Sequence, residues 1–447
     1  MKPDCSPRRD SCCSLAVESG CPQAGLVSRP HRHPAGVKRL LIWLLGCLLL
    51  PLLIVLATLE RAPLVSRSES ISPASIAEAK RLLANNDPRR LQRGDQRTAS
   101  IPAPLIDEAI NHLVSRSLHG RGTFALAEET AEIRISVPVP GLAGYRYWNL
   151  RAQLQEAEGE PRIVAASLAN LPVPSRLAEF CLNSAIGLAG FSDEWRAARQ
   201  LIRKLAFEPA RGVVEVSYVW EPGVLAHARA RAFPPEDIAS MAAAQKALAA
   251  QLDHYSARAR VPLGQVLSGL LAAAASGEAT LRQRRAALLV LASYLAEKNL
   301  AVLIPEARHW PRPRRLKLIL LGRYDSAQHF AVSAALAAWA GEPAANAIGL
   351  YKEVEDSRGG SGFSFADLAA DRAGTRFGEL VAEGSSRLDV ALRGSLGDSD
   401  LAPSLDGLPE ALSEAEFQRR YGGRDNPAYR QLLSEIERRL AALPLYR

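Results

Sequence analysis

Residues 131–171 read AEIRISVPVPGLAGYRYWNLRAQLQEAEGEPRIVAASLANL. Ile133, Ile135, Val137 and Val139 alternate with Arg134, Ser136 and Pro138, and Trp148, Leu150, Ala152 and Leu154 alternate with Asn149, Arg151, Gln153 and Gln155. A period of two sends alternate side chains to opposite faces, the pattern of half-buried strands. A turn at Gly159-Glu160-Pro161 leads back into Arg162–Leu171, so the stretch predicts antiparallel pairing. Pro138 and Pro140 predict an edge position for the first strand, because proline cannot donate to a ladder.

Helices flank this stretch. Upstream, Ser72-Pro73 supplies an N-cap and a first-position proline, Ile76, Ala79 and Leu83 share a face, and Asn85-Asn86-Asp87-Pro88 ends the helix. Leu105, Ile106, Ala109, Leu113 and Val114 mark a second helix. Downstream, Ser175–Gly187 reads as a helix and Gly212–Trp220 (GVVEVSYVW) as a strand. Residues 60–230 are therefore expected to form a small α+β domain with antiparallel strands. Residues 231–315 are expected to be helical without strands, ending in the basic connector RHWPRPRRLK at Arg308–Lys317, either a contact for anionic lipid headgroups or a solvated linker. An all-α unit then spans 316–384. Residues 385–447 are expected to be polar and loop-like through Pro409, followed by amphipathic helices. Ser413 and Glu416 match a capping box there, and the last helix, opened by Asn426-Pro427, carries a stripe of Tyr429, Leu432, Leu433, Ile436 and Leu440.

The longest uncharged run, LLIWLLGCLLLPLLIVLATL at Leu40–Leu59, is twenty residues, enough to cross the roughly 30 Å hydrocarbon core of a bilayer. It is longer than the apolar region of a cleaved signal peptide, so the expectation is a retained signal anchor. Lys2, Arg8, Arg9, Arg29, Arg32, Lys38 and Arg39 precede it against three acids, whereas charges after it cancel. The positive-inside rule then makes 1–39 a cytoplasmic, disordered tail and places the rest in the periplasm of a single-pass inner-membrane protein. Half of the chain's net charge of +8 lies in 1–39, so the basic balance reports topology and does not call for a nucleic-acid partner. Five of the six cysteines lie before or within the span, which leaves Cys181 without an intramolecular disulfide partner outside.

The chemistry-bearing text is 316–384. Asp325 and His329 are four apart, Glu353 and Asp356 three apart beside Lys352, and Asp367 and Asp371 four apart, so each set shares a helix face. Ser364-Phe365-Ala366-Asp367 matches a capping box, and Gly374-x-x-x-Gly378 permits close helix contact. An inward-facing carboxylate needs a cation, a hydrogen-bond network or a metal. The candidate catalytic set is Asp325, His329, Lys352, Glu353, Asp356, Asp367 and Asp371, with His329, Glu353, Asp356 and Asp371 as ligands of a divalent metal that activates water against a phosphoester. The structural alternative has Asp367 capping a helix, Lys352 and Arg372 pairing with acids, and His329 meeting a backbone carbonyl. No nucleophile elbow, phosphate-binding glycine loop or H-E-x-x-H helix occurs.

Two stretches resemble known families. Asn149-Leu150, Asn170-Leu171-Pro172-Val173-Pro174 and the helix that follows resemble the membrane-anchored YpmS-like envelope proteins, which implies a sheet with an apolar concave face that meets lipid or a half-buried core. Asp325, His329-Phe330, Lys352-Glu353, Asp356, Phe363-Ser364, Asp367, Asp371 and Gly374 resemble the YfiM-like periplasmic lipoproteins and, more distantly, the VanZ-like membrane proteins. That resemblance implies a compact envelope-associated helical unit without assigning a reaction. Here a signal anchor replaces the lipoprotein cysteine. Two functions are thus expected: a non-enzymatic envelope factor that binds lipid or protein, and a metal-dependent hydrolase acting on an envelope phosphoester.

Overall fold

The computed structural model describes Leu49 and residues 58–447, apart from 129, 141–146, 189, 273–277, 360 and 424–425. The expected tail and span at 1–59 lie almost wholly outside the described residues, among which no helix is long and apolar enough to cross a membrane. Residues Thr58–Arg447 pack as one unit.

The first part of that unit runs β1 (Leu59–Glu60), α1 (Pro73–Asn85), β2 (Gln96–Pro102), α2 (Ala103–Leu118), β3 (Arg121–Leu126), β4 (Thr130–Pro138), β5 (Tyr147–Ala157), β6 (Glu160–Leu168), β7 (Leu171–Val173), α3 (Ser175–Leu188), α4 (Ser192–Leu201), β8 (Ile202–Glu208) and β9 (Val213–Val219). The expected antiparallel strands form a meander in the order β3-β4-β5-β6-β7. Glu158 and Gly159, both at positive φ, make the two-residue turn between β5 and β6, a geometry that suits the right-handed twist of the strands. The edge expectation for β4 is corrected: β4 lies between β3 and β5. Its pairing to β3 ends at Ser136, so Pro138 lies beyond the ladder that needs its missing N–H. A second antiparallel sheet, β2-β9-β8, contains the expected strand at Gly212–Trp220 as β9, while a register shift between Ile202 and Lys204 breaks the period of β8.

Asn149 explains how the segment after Leu59 is held. Its Oδ1 accepts from Leu64 N–H at 3.0 Å and Ser136 Oγ at 2.7 Å, while Nδ2 donates to Ala62 O at 2.9 Å and to Glu60. All four hydrogen-bonding positions of a buried amide are thus used. β1 continues the track of β6 beside the Tyr147–Trp148 end of β5, where β6 no longer pairs.

The helical part comprises α5 (Gly223–Ala232), α6 (Pro235–Asp253), α7 (Leu263–Leu271), α8 (Glu278–Leu295), α9 (Tyr324–Ala340), α10 (Glu342–Gly359), α11 (Phe365–Glu383), α12 (Ser386–Leu392), α13 (Asp398–Leu401), α14 (Glu414–Tyr421) and α15 (Pro427–Ala441). The all-α expectation is corrected by one detail. β10 (Arg260–Pro262) pairs in parallel with β11 (Lys317–Ile319), which runs straight out of the basic connector and buries Val261 and Leu318. The loop expected up to Pro409 is corrected as well, since α12 and α13 lie there and bury Leu388, Leu392 and Leu401. Spaced leucines in short helices between polar residues leave too few turns for periodicity to register.

Helices α9 and α11 pack backbone to backbone in the core. A Cβ at Gly374 would overlap the Phe330 carbonyl oxygen, and one at Gly378 the Ala334 carbonyl oxygen. The G-x-x-x-G pair therefore brings two backbones together in an interior rich in alanine (Ala331, Ala334, Ala338, Ala373). The C-terminal stripe docks on this body. Tyr429 and Ile436 join Phe363, Phe365 and Phe417, with the Phe363 and Phe417 rings stacked at 4.4 Å.

Candidate metal centre

Three helices supply the centre. α9 starts at Tyr324, so Asp325 and His329 stand one turn apart on it, and α10 and α11 carry Glu353 and Asp367/Asp371. His329, Glu353 and Asp371 are at least nine-tenths buried, whereas Asp367 is half-buried and faces the mouth of the site together with the half-exposed Lys352 side chain.

His329 Nδ1 lies 3.1 Å from Asp371 Oδ1, which also accepts from Ser333 Oγ at 2.7 Å. This contact fixes the plane of the imidazole and leaves Nε2 facing Asp367 Oδ2 at 3.7 Å and Lys352 Nζ at 3.3 Å. Glu353 Oε1 is 4.0 Å from His329 Nδ1, and its Oε2 accepts from the backbone N–H of Ser364 at 2.9 Å. The capping-box expectation is half right. Ser364 Oγ does accept from Asp367 N–H at 3.0 Å, but the reciprocal acid comes from the neighbouring helix as Glu353, which frees the Asp367 carboxylate for the site. Gly349, one turn before Glu353, makes room for Asp371: a Cβ there would lie 2.8 Å from Asp371 Oδ2.

One ligand atom each from His329, Glu353 and Asp367 lie within 4.8 Å of one another. Glu353 Oε1, Asp367 Oδ1 and Asp371 Oδ2 are buried without a hydrogen-bond partner. Burial pushes the Glu353 carboxyl up to about 8, with the Asp371 charge adding to the effect. For His329, burial disfavours the cation, but the charge and hydrogen bond of Asp371 and the charge of Asp367 outweigh it and hold the imidazole at about 9. Burial also raises the Asp367 carboxyl. The group therefore holds extra protons at neutral pH, as crowded buried acids must when no cation neutralises them.

Among the sequence candidates, His329, Glu353, Asp367 and Asp371 are brought together. Asp325 is paired with Arg323 through two contacts, at 3.1 and 2.9 Å, and Arg323 also holds Glu410 at 2.6 Å. Asp356 is paired with Lys352 at 2.8 Å. The ligand set read from sequence is thus rearranged, with Asp367 in place of Asp356 and with Asp371 contacting the imidazole. Of the structural alternative, Arg372 does pair with an acid, Glu437 at 3.6 Å, but His329 meets a carboxylate and not a carbonyl. Sequence reasoning missed Ser333 and Gly349, although each lies four residues from a candidate on its own helix, His329 and Glu353 respectively. Comparison of the chain with protein-family models, curated proteins and solved structures returned no match.

Proposed function

We propose that this chain is a single-pass, membrane-anchored envelope protein whose helical unit binds a divalent cation through His329, Glu353 and Asp367, with Asp371 orienting the imidazole. The observation that carries this reading is the set of buried carboxylate oxygens around His329 that have no hydrogen-bond partner. Buried polar atoms in folded proteins are almost always satisfied, and an ion is one of the few occupants that satisfies several carboxylates together. The arrangement of Asp371 on one ring nitrogen with the other left free matches the way metal-binding histidines are oriented by an outer carboxylate. A mixed nitrogen and oxygen donor set suits zinc or manganese better than calcium. Such a cation would supply Lewis acidity and a water of lowered pKa, and hydrolysis of an envelope phosphoester is the reaction class that the site fits.

The test is calorimetric titration of the full chain in detergent with Zn²⁺ and Mn²⁺ after chelator treatment. One cation per chain is expected, with affinity reduced at least about 100-fold in Glu353→Gln, as loss of a ligand exceeds the roughly 10–100-fold effect of outer partners. Absence of binding by either ion at millimolar concentration overturns the reading. In that case the expectation of a non-enzymatic lipid- or protein-binding factor stands. It is favoured by exposed apolar side chains on α3 and beside it, Leu177, Phe180, Leu182 and Trp195, and loses its support if the chain shows no vesicle or envelope-protein association outside its anchor.

A further inference from the structure

The meander sheet has two unlike faces at the end where β1 joins it. Paired side chains on antiparallel strands share a face. Val137, Trp148 and Leu59 therefore form one row, and Ile135, Leu150, Leu168 and Leu171 a second row beside it. Further along the same face, Phe124, Ile133 and Leu154 pack with Ile106 and Ile110 of α2 and with Leu205 of β8. That cover stops short of the two rows, where Trp148 is 39% exposed, Leu150 36% and Leu171 43%. The reverse face is closed at this end, because Leu64 and Val65 donate to the buried Asn149 and Ser136 side chains.

What the open face meets follows from where the chain enters the sheet. The uncharged run ends at Leu59, which is also the first residue of β1, so no linker separates them. Leu59 pairs with Trp148, at the Cα separation of about 5 Å that antiparallel partners have. β1 continues the track of β6, so strand rise and spacing place Leu150 and Leu171 each within about 10 Å of Leu59. A run that crosses the hydrocarbon core puts Leu59 at its boundary, and the headgroup layer beyond is about 5–8 Å deep. Tryptophan and tyrosine favour that layer, and Tyr147 and Trp148 stand beside it. No residue of either row is charged.

We propose that Trp148, Leu150 and Leu171 seat in the interface of the bilayer leaflet from which the chain emerges, docking the exported part on the membrane by its sheet end. The inference rests on the reading of Leu40–Leu59 as a membrane span. A connection without a linker holds this face at the bilayer at high effective concentration, whereas a second copy of the chain must reach it by diffusion.

The test uses the full chain, its native cysteines replaced by serine, in phosphatidylcholine–phosphatidylglycerol vesicles with and without brominated acyl chains. A fluorophore attached in Leu150→Cys or Leu171→Cys is expected to be quenched by bromine. One attached in Glu156→Cys, about 20 Å along β5 from Leu150, is expected to keep its emission. Without any label, Trp148→Phe is expected to lose part of the bromine-quenched tryptophan emission, and a variant that loses none overturns the docking. Alkaline carbonate extraction separates the two readings. A chain retained by the vesicles but unquenched at both leucine positions overturns the docking and leaves the span standing, whereas a chain released by carbonate overturns both. Equal quenching in Glu156→Cys overturns the docking as well. So does disulfide cross-linking between Leu171→Cys copies in place of quenching, which assigns the face to a second copy.

Discussion

Replacing Asp371 by alanine is expected to destabilise the chain by about 3–5 kcal/mol, the range for stripping the partner from a buried charge. The carboxylate accepts from Ser333 and meets His329 at 3.1 Å, in a site where both groups are more than nine-tenths buried. Without it the imidazole loses the larger charge and the hydrogen bond that help hold it at about 9, and burial drives it toward the neutral form against the remaining Asp367 charge. The effect should therefore depend on pH. A histidine raised from 6.5 to about 9 stabilises the fold fully below 6.5 and loses that contribution as pH rises through 9. Glu353, raised from 4.5 to about 8, acts in the same direction, because its folded form retains a proton that the unfolded chain has released. In chelator, denaturation midpoints of the wild type should fall from pH 5 to pH 9, most steeply between 6.5 and 8, where both groups contribute. The penalty of Asp371→Ala should shrink across the same range. A flat wild-type profile, or a penalty of equal size at pH 5 and pH 9, would show that the imidazole–carboxylate pair does not stabilise the fold.

The second large effect is expected at the helix crossing. Gly374→Ala with Gly378→Ala places two methyl groups against the carbonyl oxygens of Phe330 and Ala334, atoms that belong to backbone and cannot rotate aside. Helices α9 and α11 must then separate, opening the packing of Phe330 on Phe377, whose ring centroids are 5.4 Å apart. Overpacking costs about 1–3 kcal/mol per site, so the double variant should lose about 3 kcal/mol or more in equilibrium unfolding. Because the same displacement pulls His329 away from Asp371, cation affinity should fall with stability. A double variant as stable as the wild type would mean that the crossing is not held by backbone proximity. Ala373, which has a Cβ already and packs in the same core, provides the contrast: Ala373→Gly should cost only about 1 kcal/mol, the helix penalty of glycine.

Much of the architecture follows from local patterns. The alternation in 131–157 predicted β4 and β5 and their antiparallel pairing. Ser72, Ser413 and Asn426 cap the helices expected of them. Elements whose pattern is short or interrupted were not legible: β8 is broken by a bulge, and β10 and β11 have three residues each, paired in parallel across 57 positions of sequence. Pairing at that separation is decided by the core around Val261 and Leu318, and no local period encodes it.

The candidate centre divides along the same line. Spacing alone put Asp325 with His329, Glu353 with Asp356 and Asp367 with Asp371, because side chains three or four residues apart share a helix face. Which of those acids meets the imidazole is a tertiary matter. Arg323 claims Asp325 by reaching it together with Glu410, 87 residues away, and Lys352 claims Asp356 from the adjacent turn. Glu353 Oε1, Asp367 Oδ1 and Asp371 Oδ2 remain without a hydrogen-bond partner, with Arg323 no closer than 3.8 Å to Asp367. Helical periodicity is a property of the backbone and can be read from sequence. Partner choice among acids is set by how closely three helices approach, which Gly349, Gly374 and Gly378 permit, and by which cations the rest of the fold brings within reach.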